Sequence, residues 1–117
     1  MNRVFVYGTL RENLPDMAGG GTLLGPAITE GRIYNLGAYP AVQVGKFGGN
    51  PIVGEVWEVT DQQLRNLDRY EGYPNLYQRE QIETPYGIAY IYTMKHLVRD
   101  AAVIESGDWF DVRRVRN

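Results

Sequence analysis

The hydrophobic pattern of the chain opens on residues 3–7, "RVFVY", a run of β-branched and aromatic side chains with no polar alternation. This pattern predicts a strand covered on both faces and central in a sheet. Residues 11–26 carry Gly19, Gly20 and Gly21 in their middle, which predicts a short helix around residues 14–18 followed by a loop. Residues 30–37 read as a second strand, residues 38–45 as a turn with room for a third, and residues 47–51 as a turn cluster. Residues 52–60 alternate and place Val53, Glu55, Trp57 and Val59 on one side of a further strand. Thr60 and Gln63 have the spacing of a capping box, so a helix is expected from Asp61 to Tyr70 or Glu71, stopped by Gly72 and Pro74. Residues 77–84 and 87–94 flank Pro85 and Tyr86 as a hairpin. Residues 97–105 fit a short helix or a strand, and residues 106–109 a turn. The sum is an α+β domain dominated by antiparallel or mixed sheet, with closure into a small barrel left open.

Composition narrows the chemistry. The 117 residues, 44% of them hydrophobic, are enough for one domain with a core of its own. Twelve basic against fourteen acidic residues leave a net charge of −2, with no excess to neutralise phosphates, so no nucleic-acid partner is expected. The basic tail at residues 112–117 reads as a solvated or frayed end. There is no cysteine, which excludes disulfides, thiolate metal sites and thiol nucleophiles. No apolar run is long enough to cross a bilayer and no signal-peptide pattern is present, so the expected location is cytoplasmic. His96 is the single histidine, which rules out a multi-histidine metal centre.

Glu71 is the carboxylate that stands out. Leu64, Leu67 and Glu71 follow one another at spacings of three and four, placing the acid at the end of a core-facing stripe. Desolvation and the negative end of the helix would both raise its pKa. The competing reading turns Glu71 to solvent or pairs it with Arg69 or Arg79. Asp61 and Asp68 fall off the stripe and read as surface groups. The stretch Tyr7-Gly8-Thr9 also has two readings: a strand ending in a glycine turn, or a loop whose backbone approaches an anionic ligand closely.

Several motifs taken together resemble the γ-glutamylcyclotransferase superfamily in order and spacing. They are "VFVYGTLR" at residues 4–11, "GAYPAV" at 37–42, "GEVWEV" at 54–59, "LDRYEGYP" at 67–74, "YQR" at 77–79 and "SGDW" at 106–109. The chain looks most similar to the small γ-glutamylamine cyclotransferase-like members. The resemblance implies a small β-barrel with flanking helices, a cavity, no metal or cofactor, and a small γ-glutamyl substrate handled by a monomer or weak dimer. It implies release of 5-oxoproline by attack of the substrate's α-amine on its own γ-carbonyl, with Glu71 as general acid and base. By the same match Tyr7, Gly8, Thr9 and Leu10 form the substrate loop, Tyr39 lies on a neighbouring loop and Tyr77 lines the pocket, while Tyr92 either lines it or packs. One departure is the segment "RENLPDM", where the family commonly has a glycine two residues after the arginine. The alternative function is a non-catalytic module that keeps the cavity for an acidic metabolite or a peptide terminus.

Overall fold

The structure is a computed structural model that describes residues 1–45, 50–94 and 101–115. The turn expected at residues 47–51 therefore lies mostly outside the described residues, as do His96 and residues 97–100 of the ambiguous late segment.

Ten elements follow one another: β1 (Asn2–Val6), α1 (Leu14–Ala18), β2 (Thr22–Asn35), β3 (Pro40–Val44), β4 (Pro51–Val59), α2 (Asp61–Glu71), β5 (Tyr77–Thr84), β6 (Gly87–Met94), β7 (Ala102–Val103) and α3 (Trp109–Val115). Hydrogen bonding joins the strands in the order β3-β2-β4-β1-β6-β5, with β7 attached to β2. The pairings are antiparallel except for β1 with β6, which run parallel. The path ends at β3 and β5, and the sheet curls into a half-barrel, a mixed α+β architecture of the expected kind.

Strand β1 is central, as its unalternating sequence predicts. Val4 and Val6 enter one apolar cluster with Leu14, Trp57, Val59, Leu64 and Leu67, where α1 and α2 cover the sheet. Phe5 enters the other with Ile33, Ile52, Val56, Ile91 and Trp109, which α3 helps to close. A strand buried on both faces needs apolar residues at every position, and Val4, Phe5 and Val6 are exposed by no more than 3%.

Helix α2 carries its boundaries in its sequence. The backbone N–H of Gln63 donates to Thr60 Oγ1 at 3.1 Å, and the Gln63 side chain accepts from the Thr60 N–H at 2.9 Å. Gly72 ends the helix in the left-handed conformation at φ +68, which costs a side-chain-free residue little.

Three expectations fail here. β2 begins at Thr22, eight residues before the expected strand, because Gly25 and Pro26 sit at an irregularity of the β2–β4 register and do not end the strand. Trp109 is not the end of a turn but the first residue of α3, because Asp108 accepts the Phe110 N–H at 2.9 Å and caps the helix. Consequently the tail is helical as far as Val115, and Val112 packs against the second cluster.

Candidate active site

Strand β1 delivers Tyr7 to the end of the half-barrel, where the chain turns. The N–H of Arg11 donates to the Gly8 carbonyl at 3.0 Å, closing a tight turn over Gly8, Thr9 and Leu10. Among the described residues the N–H groups of these three have no acceptor. Leu10 is buried in the core. A side chain at Gly8 would meet Pro40: a Cβ there would lie 2.8 Å from Pro40 Cγ. The Gly8 turn thus packs directly on the first residue of β3.

The last turn of α2 reaches the same place. Tyr7, Gly8, Thr9, Leu10, Tyr39, Glu71 and Tyr77 all line one cavity of about 440 Å³, joined by Phe5, Val6, Ala38, Pro40, Tyr70, Leu76 and Tyr92. Every candidate residue read from the sequence is therefore brought to one cavity.

Glu71 is half-buried, and among the described residues its carboxylate has neither a hydrogen bond nor an ion pair. Burial raises its pKa from 4.5 to about 7. At the helix end beside it, Gly72 and Tyr73 donate to the carbonyls of Arg69 and Asp68 at 3.2 and 2.9 Å and close the last turn. Pairing with Arg79 is excluded, since that guanidinium is held by Asp68 at 3.0 Å and lies against the rings of Tyr73 and Tyr90.

Tyrosine hydroxyls build the walls. Tyr7 donates to the Tyr92 carbonyl at 2.7 Å and Tyr77 to the Pro40 carbonyl at 2.9 Å. Tyr77 thereby ties the start of β3, next to Tyr39, to β5. Burial pushes the Tyr7, Tyr77 and Tyr92 hydroxyls well above the ordinary tyrosine range, and the Glu71 charge adds to each. All three stay protonated donors near neutral pH.

The sequence profile described as "Gamma-glutamyl cyclotransferase, AIG2-like" matches residues 4–111. The chain belongs to this family. A Vibrio cholerae relative is 42% identical over 110 residues, covering 91% of this chain and 93% of its own length. The Escherichia coli protein YtfP, named as a member of the γ-glutamylcyclotransferase family, is 38% identical over 113 residues, 93% of this chain and 96% of its own. Its solution structure superposes with a TM-score of 0.76 at 34% identity, covering 95% of this chain and 98% of that one. The bovine γ-glutamylaminecyclotransferase is 37% identical over 93 residues, 68% of this chain and 54% of its own length.

This family member also contains groups that the helical stripe could not reveal. Asp68 is no surface group: it accepts from the Tyr92 hydroxyl at 2.7 Å and pairs with Arg79, tying α2 to β5 and β6. Tyr92 consequently both lines the cavity and packs. Tyr70 and Leu76 are lining residues with no signal beyond their nearness to Glu71. Glu55 is 9% exposed and accepts from Trp57 Nε1 at 2.7 Å and from the Glu12 N–H at 3.1 Å, so the acid in "GEVWEV" holds the chain just after the Gly8 turn. Asp61 is exposed as expected, accepting from Asn2 Nδ2. No group of acids, histidines or cysteines able to hold a metal occurs among the described residues, and none of their helices is long and apolar enough to cross a membrane.

Proposed function

We propose that this chain is a γ-glutamyl cyclotransferase that releases 5-oxoproline and a free amine from a γ-glutamylamine or a related γ-glutamyl amide. One observation carries the reading: an unpaired carboxylate with a pKa near 7 shares a cavity with three backbone N–H groups that have no acceptor among the described residues. Family membership supports it.

In this mechanism Glu71 takes a proton from the substrate's α-ammonium, and the freed amine attacks the γ-carbonyl carbon. A C–N bond forms, the carbonyl oxygen becomes an oxyanion, and the amides of Gly8, Thr9 and Leu10 stabilise it. The bond from that carbon to the original amide nitrogen then breaks. Two protons leave the α-nitrogen and two reach the departing nitrogen, each passed by the same carboxylate, so the amine departs as an ammonium ion. A pKa near 7 suits a group that must both accept and donate. The nucleophile belongs to the substrate, so positioning contributes much of the acceleration. Tyr7, Tyr39 and Tyr77 form the walls that orient the glutamyl unit.

The test is mass-spectrometric detection of 5-oxoproline from wild type and Glu71→Gln, each offered γ-glutamyl amines, dipeptides and glutathione, with circular dichroism as the check on folding. Product from wild type alone supports the mechanism. Equal product from a folded Glu71→Gln overturns the role of Glu71, and tight binding without product favours a non-catalytic module.

A further inference from the structure

The mouth of the cavity is built differently from its floor. Tyr39, Tyr70 and Leu76 line it yet keep 39%, 48% and 52% of their surface exposed. Large apolar side chains left uncovered at a concavity are positions where a ligand can remove apolar surface from water. Hydrogen bonds hold these walls: the Leu36 N–H donates to the Tyr39 carbonyl at 3.1 Å, and the Leu76 N–H donates to the Gly72 carbonyl at 2.8 Å. Tyr70 sits in the last turn of α2, next to Glu71. The mouth is thus fixed in backbone and bare in side chain.

Charge is distributed in the same sense. Among the described lining residues Glu71 is the one charged side chain, and none is lysine, arginine or histidine. The glutamyl half of a substrate finds its partners at the floor, in the Gly8–Leu10 amides and Glu71. The mouth is left for the amine half.

We infer that the departing amine carries an apolar group about the size of a ring and no carboxylate. This rests on the cyclotransferase reading and narrows its substrate. A phenyl or branched alkyl group on that amine stacks on Tyr39 and Tyr70 and covers Leu76. A γ-glutamyl dipeptide is disfavoured, because its leaving group holds a carboxylate one carbon from the departing nitrogen. That charge would lose water in a lining that offers no cation to compensate it.

Three compounds separate these terms: the γ-glutamyl amide of 2-phenylethylamine, γ-glutamylphenylalanine, which differs only by the carboxylate, and γ-glutamylmethylamide, which lacks the apolar group. kcat/KM is measured on wild type, and Kd by calorimetry on Glu71→Gln, which accumulates no product. The phenylethylamide is expected to show a kcat/KM about tenfold or more above, and a Kd about tenfold or more below, that of each of the others. Leu76→Arg, a change at a half-exposed position outside the proposed chemistry, places a cation at the mouth and is expected to narrow the gap to γ-glutamylphenylalanine by about tenfold. Equal kcat/KM or Kd across the three compounds, or an unchanged ratio in folded Leu76→Arg, overturns the inference while leaving the cyclotransferase reading intact. If no γ-glutamyl compound is turned over, that reading fails by itself. The Kd values still decide this one: a tenfold preference upholds it, and equal or absent binding overturns it.

Discussion

Arg11 Nη1 lies 2.6 Å from Asp108 Oδ1, a contact that joins the end of the Gly8 turn to the start of α3 across 97 residues of chain. The guanidinium also rests 3.8 Å from the centre of the Phe110 ring and 4.0 Å from Glu55 Oε1. Three stretches that are far apart in sequence, "YGTLR", "GEVWEV" and "SGDW", thus meet at one cation. Both partners of the 2.6 Å pair are largely shielded, with side chains 12% and 19% exposed, so removing one leaves the other desolvated and unpaired.

Asp108→Ala is therefore expected to lower stability by about 2 kcal/mol in urea unfolding, discounted from the fully buried case for the remaining exposure. The Arg11→Ala/Asp108→Ala double variant is expected to lose less than the sum of the two singles. Additive losses would mean that the pair contributes nothing of its own.

Glu71 makes stability and activity respond to pH in opposite directions. Its folded pKa, about 7, lies above the unfolded value of 4.5. Below 4.5 both states hold the proton and nothing is lost. As pH rises from 4.5 through 7 the unfolded chain ionises first, so wild type loses stability that Glu71→Gln keeps. The variant is expected to be more stable at pH 8 by on the order of 2 kcal/mol and to match wild type at pH 4, by thermal unfolding. Over the same range wild-type kcat/KM should climb with a lower limb near pH 7, as the base form appears. A stability difference independent of pH would refute the burial account.

Gly8→Ala tests the contact between the Gly8 turn and the start of β3. The added methyl meets Pro40, so the variant should lose about 1–3 kcal/mol of stability, together with 5-oxoproline release. Pro40→Ala in the same chain removes the Cγ and Cδ atoms and is expected to restore a large part of both. Failure of that rescue would indicate that a ligand, and not Pro40, is what requires glycine at position 8.

Much of this could be read from the sequence where the deciding interactions are local. The Thr60–Gln63 box and Gly72 lie within one turn of the helix they bound, and the Thr84–Gly87 turn sits between the strands it joins, so α2 and the hairpin were legible. The Leu64-Leu67-Glu71 stripe led to the carboxylate for the same reason. Asp68 was not legible, because what draws it inward is Arg79 on another strand and the hydroxyl of Tyr92. Nor was the start of β2: residues 11–26 read as a helix and a loop, and what gives Gly25 its place is Tyr86, which occupies the space a side chain there would need, its hydroxyl donating to the Pro26 carbonyl at 3.2 Å. The contact of Gly8 with Pro40 was likewise hidden, since Pro40 starts β3 some thirty positions away.

The parallel pairing of β1 with β6 sets an order of events for a chain made from its N-terminus. Val4 and Phe5 find their partners Tyr90 and Ile91 only after almost the whole domain has emerged from the ribosome. Until then β1, buried on both faces in the finished fold, carries an open edge, and the cavity lacks the wall that Tyr92 supplies. Truncated chains that stop before β6 would therefore be aggregation-prone, and the β5–β6 hairpin closes both the open edge of β1 and the wall of the site.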